Sequence, residues 1–168
     1  MNRVEKLLRY RPPSPGLIML AGVLLVYLIV SRHVISAGIV QGDSMLPTLA
    51  PGARYFINHY IYHLREPRRG DLVVFTHPLF SDLTVKRVIG VPGDTVELRG
   101  AWLFLNGAPL DEPYVAPNND ALLPASNCLW RIPAQRYFLM GDNRAVSADS
   151  RVFGPVSRRD IKGLVIWP

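Results

Sequence analysis

The 168-residue chain has one cysteine, Cys128, so it can form no intrachain disulfide and no metal site built from paired cysteines. Charge is also scarce, at 19% Asp, Glu, Lys and Arg, and there is none from Pro12 to Ser31. The net charge of +6 does not mark a nucleic-acid binder. Arg3, Lys6, Arg9 and Arg11 crowd the N-terminal end against Glu5 alone, and no basic run interleaved with aromatics follows. The Gly-x-Ser-x-Gly elbow of the α/β-hydrolases is missing, as is the strand–helix alternation that would support it. There is no internal repeat and no low-complexity tract.

Proline and glycine, by contrast, are plentiful, at 15 and 13 residues, which favours many short segments joined by turns over a helical bundle. An apolar share of 49% is enough for one buried core. The stretch "GLIMLAGVLLVYLIVS" predicts a transmembrane helix over residues 15–31, closed by Arg32 and His33. Because the basic residues precede the span, residues 1–14 are expected in the cytoplasm and residues 32–168 outside it. A cleavable signal peptide ending at Ser36-Ala37-Gly38 is the competing reading. It has the same basic start, but the apolar run is long for it and Arg32-His33 interrupts the approach to the cut.

Beyond the span, alternation and turn chemistry predict strands at "VISAGIVQG", "GDLVVF" and "LTVKRVIGVPGD", a hairpin about Arg99-Gly100, a turn at Asn106-Gly107, and strands in "RYFLMGDN" and "IKGLVIWP". Residues 109–136, with five prolines, read as an irregular excursion. The fold class is therefore mostly β, with many short strands behind one N-terminal transmembrane helix. Arg69-Gly70-Asp71 could be an adhesion tripeptide, although a tight turn before a strand accounts for it.

The chemistry centres on Ser44 in "QGDSMLPTLAPG". A serine hydroxyl attacks only when a base takes its proton. His33, His59, His63 and His77 are candidates. So is Lys86, which alternates with Arg87 along a strand so that one of the two points inward, unless both reach out to water. Burial lowers a lysine pKa towards the range where the free amine is a base, which is closed to arginine. The segment "GDNRAVSADSR", residues 141–151, could supply hydroxyls and Asp–Arg pairs as support.

At these residues the sequence resembles the type I signal peptidases, membrane-bound serine endopeptidases that remove signal peptides from exported proteins. "GDSMLPTL", "RGDLVVF", "VKRVIGVPGD" and "MGDNRAVSADSR" followed by "FGPV" match in the family's order. The resemblance implies an antiparallel β catalytic domain with an apolar face on the membrane, acting on preproteins after small residues of the Ala-x-Ala type. It makes Ser44 the nucleophile, Lys86 its base and Ser147 the residue orienting the amine. Asp149 and Arg151 would form an ion pair, with Asp142 and Arg144 helping to fix the same loop. Residues 37–42 and 84–86, including Gly42, Thr84 and Val85, would line the cleft, with Val40, Met45 and Val85 narrowing it. Gly42 stands where some members carry an oxyanion-stabilising serine, so backbone N–H groups would take that role. No cofactor or metal is implied; the expected partners are signal peptides and the lipid bilayer of the inner membrane. Dedicated relatives that mature pilin-like or mitochondrial proteins, and a non-catalytic module binding exported chains, are the alternatives.

Overall fold

A computed structural model describes residues 13–78, 80–100, 102–116 and 127–166. The chain divides into one unit ending at Val34 and a second beginning at Ile35.

The first unit is helix α1, Pro15–Val34. Ser14 caps it, its Oγ accepting the Leu17 N–H at 3.3 Å, and Pro15 takes the first helical position, where its missing donor costs nothing. The helix runs three residues past the expected Ser31. It is apolar on every side: Leu17, Leu20, Val23, Leu24, Tyr27 and Leu28 are each more than half exposed. This is not the one-sided stripe of a helix lying on a protein surface. Residues 30–33 are described by backbone alone, and among the described residues no helix is both long and apolar enough to cross a membrane. Of the basic tail expected at 1–14, residues 1–12 lie outside the described residues.

The second unit is built from antiparallel strands. These are β1 (Ile35–Ile39), β2 (Arg54–Asn58), β3 (Leu72–Thr76), β4 (Leu83–Gly90), β5 (Thr95–Arg99), β6 (Trp102–Leu105), β7 (Ala108–Pro109), β8 (Cys128–Arg131), β9 (Arg136–Met140), β10 (Val156–Ser157) and β11 (Ile161–Ile166). Short helices α2 (Ile61–Leu64) and α3 (Ser150–Phe153) interrupt them. One seven-stranded sheet runs β1-β2-β11-β3-β4-β9-β10, and a four-stranded sheet runs β7-β6-β5-β8. The apolar run of β3 reflects its place inside the larger sheet, where Val73, Val74 and Phe75 are fully buried. The expected strands and the turn at Asn106-Gly107 are present.

One expectation is corrected. The stretch 109–136 is not irregular throughout, because β8 lies within it and pairs Leu129 with Glu97 of β5. Four residues carry too little alternation to announce a strand, and the partner is remote in sequence. Residues 117–126 are outside the described set.

Three apolar clusters fill the unit. The first, with Val40, Met45, Leu49, Tyr55, Val74 and Val85, lies under the Ser44 turn and fixes its backbone.

Candidate active site

Ser44 is carried on the turn between β1 and β2. Gly42 adopts φ +78°, which a side chain would strain, and the chain then closes through Leu46 N–H to Asp43 O (3.1 Å) and Leu49 N–H to Met45 O (2.9 Å). Met45 and Leu49, at 2% and 0% exposure, anchor the turn while Ser44 itself stays partly open. Lys86 reaches it from β4, with Nζ 2.7 Å from Ser44 Oγ.

Lys86 is 2% exposed and makes no ion pair among the described residues. Burial pushes its ammonium down from 10.5 to about 8; the charges of Asp149 and Asp142 oppose the shift and that of Arg151 adds to it. Neither strand residue reaches out to water. Arg87, on the other side of β4, is held by Asp142 through two bonds (2.8 and 2.6 Å), and Thr48 Oγ1 donates to the same carboxylate.

The 141–151 loop locks around this pair. Asn143 N–H donates to Ser44 O and its side-chain amide to Asp43 O, both at 3.1 Å. Asp149 is fully buried; it accepts two 2.8 Å bonds from Arg151 and one from Gly141 N–H at 3.1 Å. Arg151 also donates to Arg144 O at 2.8 Å. Ser150 Oγ, also buried, takes the Leu139 N–H and ties the loop to β9. A Cβ on Gly141 would overlap the Ser147 side chain and the Ser44 carbonyl, so only glycine fits there.

Asp142 pairs with Arg87, and Arg144 pairs with Glu112, a residue not singled out from the sequence. Tyr114 joins them: its hydroxyl donates to Glu112 at 2.7 Å and its ring lies 4.0 Å below the Arg87 guanidinium. The bond expected between Ser147 and Lys86 is not formed, because Ser147 Oγ is buried against Gly141 with no hydrogen-bond partner.

A cleft of about 620 Å³ leads away from Ser44. Of the expected wall, residues 37–41, Met45, Thr84 and Val85 line it, whereas Gly42 and Lys86 do not. Lys86 lies beneath the surface and Gly42 behind the turn. A separate hollow of about 530 Å³, between Glu66, Arg69, Val91 and Tyr137, contains no nucleophile.

The histidines with described side chains are engaged elsewhere. His77 packs between Phe80 and Phe153 with ring centroids 4.9 Å away, and burial, then the Lys86 charge, lowers its pKa. His63 lies tilted against Tyr60, and His59 bonds Ser36 and Lys162 O. The charges of the Arg69-Gly70-Asp71 tripeptide are likewise taken up internally, Arg69 by Asp94 and Asp71 by Arg65. Among the described residues no group of His, Cys, Asp and Glu is arranged to hold a metal.

The profile of the family described as "Signal peptidase, peptidase S26" matches residues 16–168. Signal peptidase I P of Bacillus subtilis subsp. natto is 38% identical over 160 residues, covering 89% of this chain and 86% of that protein. Signal peptidase IB of Staphylococcus aureus is 37% identical over 172 residues, covering 90% and 88%. Signal peptidase I of Leptolyngbya laminosa is 35% identical over 150 residues, covering 83% and 72%. Among solved structures, a signal peptidase I from Enterococcus faecalis V583 superimposes with a TM-score of 0.53 at 32% identity, covering 61% of this chain and 98% of that one.

Proposed function

The chain belongs to the peptidase S26 family of signal peptidases, and from that premise we propose that it cleaves signal peptides from exported preproteins with Ser44 as nucleophile and Lys86 as general base. The observation that carries the roles is the buried Lys86 Nζ, 2.7 Å from Ser44 Oγ and without a carboxylate partner. As the free amine, Lys86 takes the Ser44 proton while Oγ attacks the scissile carbonyl, and then returns that proton to the leaving amine. Water hydrolyses the resulting Ser44 acyl-enzyme. Gly42 offers no side-chain oxygen, so the developing oxyanion falls to backbone N–H groups, that of Ser44 among them. In the acyl-enzyme Lys86 loses its serine partner, and the buried hydroxyl of Ser147 is our candidate for steadying the amine.

The substrate lies extended beside β1, the edge strand of its sheet, which leaves backbone groups open to an added strand. Val40, Met45 and Val85 leave room for small side chains at the first and third positions before the cut. Helix α1 is our candidate for the membrane-associated segment, because from Leu17 to Ile29 it exposes apolar side chains all round. An apolar patch on β1, β2 and β11 (Ile35, Ile39, Phe56 and Ile166) suits apposition to a lipid surface. With basic residues ahead of the helix, the N-terminus would lie in the cytoplasm and the catalytic unit outside it.

The test is cleavage of an Ala-x-Ala preprotein by detergent-purified wild type, Ser44→Ala and Lys86→Ala proteins. Only wild type is expected to cut, after the final alanine. The rate kcat/KM should rise about tenfold per pH unit below pH 8 and level off above it, since the free amine is the active form. Normal cleavage by Lys86→Ala would end the Ser–Lys reading.

A further inference from the structure

The cleft does not end as it begins. Near Ser44 its walls carry Val40, Met45 and Val85 beside Gln41 and Thr84, but at the far end, beyond Ala37 and Leu83, it is lined by Ser36, His59 and Asp82. Ser36 Oγ lies 2.7 Å from His59 Nε2, and His59 Nδ1 lies 3.0 Å from the Lys162 carbonyl of β11. A carbonyl only accepts, so Nδ1 carries the proton, and in the neutral ring Nε2 accepts from the Ser36 hydroxyl. That spends the Ser36 proton and leaves its lone pairs facing the cleft. Asp82, exposed on the opposite wall, can only accept when ionised. This end of the cleft is therefore furnished with acceptors from both sides.

Ser36 stands five residues before Gln41 along the wall, and the extended chain rises about 3.3 Å per residue. A substrate strand running parallel to β1, with its scissile bond at Ser44, would bring to that end the side chain about five residues before the cut. Building on the proposed signal-peptide cleavage, we infer that Ser36, held by His59, and Asp82 form a specificity subsite for a hydrogen-bond-donating side chain (Ser, Asn or Lys) about five residues before the scissile bond. Apolar and acidic side chains are disfavoured there, the first leaving Ser36 unanswered and the second meeting Asp82.

The experiment uses the full chain in detergent with peptides of fixed Ala-x-Ala site. Position −5 carries Lys, Ser, Leu or Asp in turn, with the same changes at −4 and −6 to locate the subsite. Lys and Ser peptides should exceed Leu in kcat/KM by about three- to tenfold, the effect of one hydrogen bond, with Asp lowest. Ser36→Ala should remove the advantage of Ser over Leu, and Asp82→Asn should bring Asp up towards Leu. Cleavage of every peptide at equal rates, or a preference that survives in the Ser36→Ala/Asp82→Asn double variant, overturns the subsite and leaves signal-peptide cleavage standing. Cleavage of none overturns both.

Discussion

Lys86 and the arginines behind it are buried or largely covered cations on neighbouring pieces of chain, yet they are treated in opposite ways. Arg151 has Asp149, Arg144 has Glu112 and Arg87 has Asp142, each carboxylate gripping the guanidinium with two bonds. Lys86 is as deeply buried as Arg144 and, among the described residues, is bonded to the Ser44 hydroxyl and to no carboxylate. A paired arginine keeps its charge and becomes a fixed strut. An unpaired lysine is pressed towards losing its proton, which makes it a base. The charges of Asp142 and Asp149 temper that pressure from a distance without quenching it.

The comparison breaks most severely if the two kinds of cation can be exchanged. Lys86→Arg should be nearly as inactive as Lys86→Ala, a loss on the order of 10²–10⁴ in kcat, because a guanidinium stays charged. Retained cleavage in the arginine variant would mean that charge, not basicity, is what the site needs. Next in size is Asp149→Asn, which leaves Arg151 without its carboxylate in a buried setting and should cost about 3–5 kcal/mol of stability, read by denaturant unfolding. In whatever fraction stays folded, the acid limb of the pH–rate profile should move to lower pH, since Asp149 raises the Lys86 pKa. An unshifted profile would sever the brace from the base.

Much of this was legible in the sequence, for reasons that differ by residue. Alternation marked β3 and β4, and the spacing of Lys86 and Arg87 required one inward cation. What alternation could not show is that Arg87, on the other face, would also be covered. Its cover comes from Thr48, Tyr114 and Asp142, which are remote in sequence. Glu112 was hidden for the same reason: beside Asp111 in a proline-rich stretch it carries no period, and its importance appears only when Arg144 packs against it. The resemblance made Ser147 a partner of Lys86, a bond that is absent among the described residues, and it named no partner for Asp142, whose carboxylate takes the nearby Arg87.

Stability gives the comparison its finest measure, because the two kinds of cation carry opposite signs. Holding the ammonium of Lys86 in a buried site costs roughly 3 kcal/mol below pH 8, from the fall of its pKa from 10.5 to about 8. As pH rises from 8 to 10.5 the folded chain has released the proton while the unfolded chain still binds it, so folding gains stability and the cost disappears. Lys86→Met, apolar and of similar length, should therefore melt above wild type at pH 7. Its advantage should shrink through that window and be gone near pH 10.5. No arginine of the brace should behave this way: Arg144→Met strands the Glu112 carboxylate and should destabilise throughout the same pH range. If Lys86→Met instead melts below wild type at pH 7, the bond to Ser44 outweighs desolvation. Lys86 would then be a strut like its neighbours, and its low pKa would need another source.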